Sequence, residues 1–357
     1  MEHLNILVAP VGDDGCSGYR INNPYKAIND LGIDGVEVIF FKKAADGAEL
    51  LDLVGGADVI VFRQQHYKLM KMVIDKELTT AKIIVDFDDD ILNMSPYADG
   101  YRIFGLKEVK HEGKDLWKDG KSGFDLKKNL AISKENIDMI KNADLVTVTT
   151  EYLAKEMKKI GAKETAVLDN AIDLKHWKKW NFKEHREIRI GWTGGATHYI
   201  DWHSIKEPLK RVFDKYENLR LVIQGTKFDG TLKGIDYEHH DWIAFGGHPY
   251  KTASLDLDIA IIPLVDTKFN RSKSAIKWYE FSSLGVPSVV SNVLPYSEEI
   301  SESTAMPYNT PEEFEEQLCK LIENEKLRRT IGDNAYKYVK ENKDLKGTAK
   351  QYINILK

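Results

Sequence analysis

The sequence predicts an α/β chain made of two doubly wound, parallel-sheet domains in series. Three observations predict it. Short β-branched runs alternate with amphipathic helical stretches, a pattern that builds parallel sheets with helical crossovers. The alternation lapses into a polar, aromatic and basic interval and then begins again. A chain of 357 residues exceeds one small core and suits two of ordinary size.

In the first series, Ile6–Ala9, Val36–Phe40, Val59–Phe62, Ile83–Phe87 and Leu145–Thr149 read as buried strands. Asn23–Leu31, Lys68–Leu78 and Lys134–Lys141 carry helical periodicity between them. The second series has strands expected at Ile188–Trp192, Leu219–Gln224, Trp242–Phe245, Ile259–Pro263 and Ser288–Ser291. Asn170–Glu187 separates the two series and has no clear period. The expected division is a first domain over 1–172, a linker over 173–186 and a second domain over 187–340. A last helix, 341–357, is expected to pack back on the first domain. The tail from Thr310 reads as helical to its end, with Pro311 in a first turn, where a missing N–H costs little.

Composition narrows the partners. A net charge of −5 and a pI near 6.1 give no global attraction to nucleic acid or anionic lipid. Cys16 and Cys319 lie in opposite halves, so no disulfide framework or Cys-x-x-Cys metal pair is expected, and a reducing compartment is the default. The opening Met1–Asn5 lacks a basic region and leads directly into a strand, which argues against a signal peptide. No apolar run approaches bilayer-spanning length. These readings give a cytoplasmic protein. Tyr97, Tyr101, Phe104 and Trp117, near the lysines of 107–128, would be the face for any peripheral membrane contact.

The densest chemistry lies at 269–291, FNRSKSAIKWYEFSSLGVPSVVS. Lys273, Ser274, Lys277 and Glu280 recur at one- to four-residue spacing, so several converge near one end of a helix. Gly285 and Pro287 stop that helix before a short strand. A helix glutamate accepts hydrogen bonds from a sugar diol, and lysines near a helix start hold phosphates. The plain alternative is a surface helix with solvated charges. Upstream, Gly194 and Gly195 follow a strand and precede a helix, where backbone N–H groups approach an anion. His198 is read either as a phosphate contact or as a cap of that turn. Lys227, after the next strand, is the nearest further cation for a diphosphate.

In the first domain, Gly12–Arg20 reads as a loop in which Gly15 and Gly18 permit a tight turn. Arg20, at the start of the next helix, is the candidate cation of this loop. The run Asp86–Asp90 has two readings. An Asp-x-Asp after a strand suits a divalent metal, but binding of ligand hydroxyls by Asp88 or Asp89 is preferred, with the remaining acids opening the next helix. No metal site is therefore expected. His66 and His111 stand alone and read as structural or exposed.

Several segments, in order, carry a resemblance. IRIGWTGGATHYIDW, DLDIAIIPLVD, the 269–291 segment and PEEFEEQLCKLIENEKLRRTIGDNAYKYV resemble the donor half of GT-B glycosyltransferases of the large retaining class, the group 1 glycosyl transferases. The resemblance covers roughly residues 165–357 and is weaker over 1–165, where strand order and LVAPVGDDGCSGYRINNP carry it. It implies two Rossmann-like domains with parallel sheets facing a central cleft. It also implies a nucleotide-diphosphate-sugar donor and an acceptor hydroxyl on a glycan or lipid-linked molecule, with retention of configuration. No cofactor and no essential divalent metal are expected. Glu280 matches the second of the family's paired glutamates, which binds the donor ribose, whereas Ser272 stands where the other would be. Asn270, Lys273 and Ser274 are expected to take over its contacts. Lys251 and the turn 246–250 would border the nucleotide base.

The expected catalytic set is Lys273, Asp88 and Arg20. The donor set is Gly194, Gly195, His198, Lys227, Asn270, Lys273, Ser274 and Glu280, and the acceptor set is Gly15, Gly18, Asp88 and Asp89. Two alternatives stay open. One is a phage-type glycosyltransferase acting on modified bases of DNA, with basic tracts at 107–128 and Lys175–Arg189 but an acidic total charge against it. The other is a non-catalytic sugar-nucleotide or glycan-binding protein.

Overall fold

Strands buried on both faces read as continuous apolar runs, and the two series of such runs here build two parallel sheets. The computed structural model describes residues 3–41, 47–118, 120–179, 187–228, 230 and 232–357. Part of the expected linker and of the basic stretch, residues 180–186, lies outside the described residues.

Along the chain the strands are β1 Leu4–Val8, β2 Val36–Phe40, β3 Val59–Arg63, β4 Lys82–Phe87, β5 Lys110–His111, β6 Lys114–Asp115, β7 Leu145–Val148 and β8 Thr165–Val167. They continue as β9 Ile188–Gly194, β10 Leu219–Gly225, β11 Tyr237–His240, β12 Ile259–Ile262, β13 Ser288–Ser291 and β14 Met306–Tyr308. The helices begin α1 Gly15–Ser17, α2 Asn23–Asp30, α3 Gly47–Gly55, α4 Tyr67–Asp75, α5 Tyr101–Phe104, α6 Leu126–Asn142 and α7 Glu151–Ile160. They continue as α8 Tyr199–Lys215, α9 His248–Ser254, α10 Lys268–Arg271, α11 Ile276–Leu284, α12 Pro311–Glu323, α13 Glu325–Asn342 and α14 Leu345–Leu356.

The chain divides into two units. The first is Met1–Pro96, Gly100–Ala171 and Leu345–Lys357, and the second is Tyr97–Asp99 and Ile172–Asp344. In the first, the described residues form a parallel sheet of order β2-β1-β3-β4-β7-β8. Its strands alternate strictly between two cores. Leu7, Phe62, Val85 and Val146 pack on one face against Met70, Met139 and Met157 of α4, α6 and α7. Ile6, Val8, Val61 and Ile84 pack on the other, against Tyr25 and Ile28 of α2 and Tyr352 and Leu356 of α14. Tyr25 and Tyr352 meet edge to face, 6.0 Å between ring centroids. The last helix is thus part of the first unit's core.

In the second unit the described residues form a sheet of order β11-β10-β9-β12-β13-β14, again parallel. Ile190, Trp192, Ile223 and Ile261 pack against Trp202 and Leu209 of α8 and Phe314 and Leu318 of α12. α12 opens with Pro311 in its first turn, and Thr310 caps it by accepting from the Glu313 N–H at 3.2 Å.

The sequence reading is corrected in several places. Trp242–Phe245 is not a strand; the edge strand is β11, which among the described residues pairs only with β10 and is half-buried throughout, so it needs no apolar run. Trp242 is 57% exposed beyond its end. The short strands β8 and β14 have three residues each, too few to carry a pattern in the sequence. The Gly12–Arg20 segment is helical from Gly15, capped by Asp14, which accepts from the Ser17 N–H at 2.9 Å. Gly18 sits at φ −63°, ψ −53°, a conformation open to any residue, so Gly15 and Gly18 make no glycine-specific turn. No helix among the described residues is long and apolar enough to cross a membrane.

Candidate functional site

Parallel sheets gather the carboxyl ends of their strands on one edge, the edge where open α/β sheets hold ligands. In the second unit, β9 delivers Thr193 and Gly194 to that edge, and the segment after β12 leads into α10 and α11. Asp201, on the first turn of α8, ties these pieces together. It is fully buried, and its Oδ1 accepts from the Val265 N–H at 2.7 Å and from Asn270 Nδ2 at 3.1 Å. Its Oδ2 lies 2.8 Å from His198 Nδ1. Asn270 also donates to the Val265 carbonyl at 2.9 Å, and Thr267 Oγ1 caps α10 by accepting from the Asn270 N–H at 3.1 Å. Asn270 is thus a brace of the post-β12 turn.

α11 approaches the end of β9 through Lys277. Its Nζ donates to the Thr193 carbonyl and lies 4.7 Å from the centroid of the Trp192 ring. Burial pulls this ammonium down to about 8, with Glu280 opposing the shift and Lys273 adding to it. Lys277 therefore points at the end of β9 rather than outward into solvent. Gly194 is required here: a Cβ on it would lie 2.5 Å from the Trp192 ring and 2.9 Å from Lys277 Nζ. Lys273, one turn earlier, holds its Nζ 4.4 Å from the Phe269 ring centroid. Ser274, half-buried, follows directly in the turn between α10 and α11.

Glu280 is 6% exposed, and its Oε1 lies 3.2 Å from Nε2 of His248 at the start of α9. The His248 ring meets Trp177 edge on at 5.4 Å and Trp242 at 5.5 Å. α11 ends at Gly285, whose φ of 78° is the left-handed conformation that favours glycine, as its sequence position predicts. Ser272 is fully buried, and its hydroxyl donates back to the Lys268 carbonyl at 3.0 Å. Gly195 and Lys227 are exposed, Gly195 just beyond β9 and Lys227 beyond β10.

His198 is not a cation. Burial, with help from Lys277 and Lys273, pushes its imidazole down to about 4 despite the Asp201 hydrogen bond. The ring stands edge on to Trp192, 5.5 Å between centroids.

The first unit brings Arg20, Asp86, Arg63, Asp88 and Thr147 together at the carboxyl end of its own sheet. The sequence places Arg20 at the start of the helix after its glycine-containing loop and in the catalytic set. Instead it lies inside a π-helical turn, 1% exposed, and donates to both Asp86 oxygens at 3.1 and 2.6 Å and to Asn170 Oδ1 at 3.1 Å. Thr147 also donates to Asp86, at 2.9 Å. The Arg20 charge is committed to this interior network. Asp88 accepts from Arg63 Nη2 at 2.6 Å; burial opposes its charge, but Arg63, the Cys16 hydrogen bond and Arg20 together hold the carboxyl below its ordinary range. Asp89 is half-buried beside it. Asp88 above all, and Asp89, raise the thiol of Cys16 well above its usual value. Asp90 is buried and caps the turn after β4, accepting from Asn93 Nδ2 at 2.7 Å. His66 accepts from the Arg63 N–H at 3.0 Å and bonds the Pro10 carbonyl at 2.8 Å, a structural role, and His111 is exposed.

The residues expected for the donor, Gly194, Gly195, His198, Lys227, Asn270, Lys273, Ser274 and Glu280, thus belong to one unit, and Arg20, Asp88, Asp89, Gly15 and Gly18 to the other. Sequence reasoning missed Asp201 and His248. Asp201 carried one signal, its place three residues after His198 at a helix start; His248 fell within the turn 246–250 without being singled out.

No family model matches the chain. An uncharacterized glycosyltransferase of Methanocaldococcus jannaschii is 45% identical over 47 residues, a segment that is 13% of this chain and 12% of that protein. Among solved structures, a sucrose-phosphate synthase from Thermosynechococcus elongatus matches 99% of this chain and 98% of its own, with a TM-score of 0.63 at 14% identity. HepE of Anabaena, in complex with UDP and glucose, matches 99% of each chain with a TM-score of 0.65 at 13% identity. A glycosyltransferase from Rickettsia africae matches 100% of this chain and 98% of its own, with a TM-score of 0.63 at 12% identity. These likenesses establish the fold: the two parallel-sheet units are those of the GT-B architecture expected from the sequence.

Proposed function

We propose that this chain is a glycosyltransferase that moves a sugar from a nucleotide-diphosphate sugar to an acceptor hydroxyl. The observation that carries the reading is α11, which sets the Glu280 carboxylate against His248 and the Lys277 ammonium against the end of β9. A carboxylate suits ribose hydroxyls, and ammonium groups beside a glycine-containing strand end suit a diphosphate. The solved HepE complex contains UDP and glucose within the same fold.

In this reaction the bond between the anomeric carbon and the diphosphate oxygen breaks, and the acceptor oxygen bonds to that carbon. Lys273, Lys277 and the backbone of Gly194–Gly195 stabilise the charge that grows on the leaving diphosphate. The acceptor hydroxyl passes its proton to that phosphate, configuration is retained, and no protein nucleophile is used. Asp88 and Asp89 receive the hydroxyls of a glycan or lipid-linked acceptor. The reaction runs without a cofactor or an essential divalent metal: Arg20 holds Asp86 and Asn93 holds Asp90, which leaves Asp89 and Asp88, one oxygen of which is shared with Arg63, for acceptor hydroxyls. The two isolated cysteines suit a cytoplasmic setting.

A melting-temperature screen against UDP-, GDP-, ADP- and CMP-sugars tests the reading, because a ligand that binds the native state stabilises it by mass action. One nucleotide series should raise the melting temperature, and its sugar should then be released or transferred. No stabilisation by any of the four would overturn the proposal.

A further inference from the structure

Asp201 fixes which nitrogen of His198 carries the proton. The Val265 N–H and the Asn270 amide can only donate, so the buried carboxylate receives both on Oδ1 and takes the imidazole Nδ1–H on Oδ2. The lone pair is then left on Nε2, and no described residue hydrogen-bonds that atom. Trp192 stands against the ring, and Lys273 and Lys277 supply positive charge close enough to disfavour an imidazolium. A phosphate clamp needs a donor or a cation at this position, and the ring offers an acceptor. In a nucleotide-diphosphate sugar the matching groups are the N–H groups of the base, which the resemblance sets against Lys251 and the turn 246–250, and hydroxyls on the ribose or on the transferred sugar. Glu280 already serves a diol.

We infer that His198 is a neutral hydrogen-bond acceptor for a hydroxyl of the transferred sugar, with Asp201 as the positioning residue that sets its tautomer. The inference rests on the nucleotide-sugar reading and goes beyond it. It places sugar selection at the end of β9, in a chain where Ser272 offers only a hydroxyl spent on Lys268.

The Asp201→Asn variant tests it. The amide oxygen keeps accepting from Val265 and Asn270, while its NH₂ faces Nδ1 and drives the ring proton to Nε2, so the acceptor becomes a donor. Calorimetry is run on wild type and variant with the nucleotide sugar found in the screen and with its nucleoside diphosphate. Asp201→Asn should weaken the nucleotide sugar about ten-fold or more and leave the nucleoside diphosphate within about two-fold. Equal weakening of both ligands would overturn the inference by assigning the contact to the ribose or to general structure. No change in either would overturn it as well.

Should Asp201→Asn not fold, a second pair decides. His198→Gln retains an acceptor oxygen and should hold the sugar better than His198→Arg, whose guanidinium cannot accept. The reverse ranking would make His198 a phosphate contact and sink the inference. Failure of the wild type to bind any nucleoside diphosphate is a separate result, which removes the parent reading and this one together.

Discussion

Glu280 Oε1 and His248 Nε2 lie 3.2 Å apart, and both side chains are 7% exposed. A carboxylate so placed is held by α11 and oriented by a ring that Trp177 and Trp242 themselves fix. Replacing Glu280 with Ala should raise the nucleotide Kd about ten- to a hundred-fold, the worth of a hydrogen bond to a charged group, with the fold retained. Titration calorimetry alongside circular dichroism checks this. Wild-type affinity in Glu280→Ala would remove the residue from the site.

Lys277 gives a pH signature of defined sign. Its ammonium is charged below about pH 8 and loses its proton above it, so nucleoside-diphosphate affinity should fall as pH rises through that value. Lys277→Met should abolish the step. Stability moves the other way. An unfolded lysine keeps its proton to about pH 10.4, so between about 8 and that value the unfolded chain binds more protons and the folded state gains stability as pH rises. Below about 8 this contribution is flat. Denaturant titrations from pH 7 to 10, on wild type and Lys277→Met, would expose a wrong sign.

Gly194→Ala should damage both packing and binding. The added methyl meets the buried Trp192 ring at 2.5 Å, and that ring has no free direction to move. Overpacking of this kind costs about 1–3 kcal/mol. Because the methyl also reaches Lys277 Nζ, nucleotide affinity should fall together with the melting temperature. A variant with wild-type affinity would detach Lys277 from the donor site.

Arg20 and Asp86 predict a stability effect without a donor-binding one. Truncating Arg20 to Ala strips a buried carboxylate of its close ion-pair partner and leaves it Arg63 at 3.9 Å and the Thr147 hydroxyl, at a cost of about 3 kcal/mol. Arg20→Met with Asp86→Leu should recover much of that loss, because a buried ion pair and a well-packed apolar pair differ little. Urea denaturation reads both variants. Equal nucleotide affinity in the double variant and wild type would confirm that Arg20 serves the interior of its own unit; a selective loss of transfer at full stability would return it to the reaction.

Much of the fold was legible because both sheets are buried on both faces, so β1, β3, β4, β9, β12 and β13 appear as apolar runs. Of the edge strands β2 was legible, whereas β8, β11 and β14 were not. Tyr237–His240 is half-buried and polar, while the exposed Trp242 and Ile243 imitate a strand next to it. In the site, spacing found Lys273, Lys277 and Glu280 because they share one stretch of α10 and α11. The Asp201 hub joins residues 64 and 69 positions apart, and the Arg20–Asp86 pair spans 66. No local period encodes such distances. Arg20 misled for a related reason: a charged residue near a helix start reads as exposed until a buried partner from another strand is placed beside it.

Helix α14 gives this protein an order of assembly. The surface formed by Tyr25, Ile28 and Ile84 is completed only by Tyr352, Ile353 and Leu356, which leave the ribosome after all of the second unit. During synthesis the second unit can close first, although it is encoded later than most of the first. The nascent first unit must carry an uncovered apolar strip until then, a natural landing place for a chaperone. A gene truncated after residue 171 would make that temporary exposure permanent.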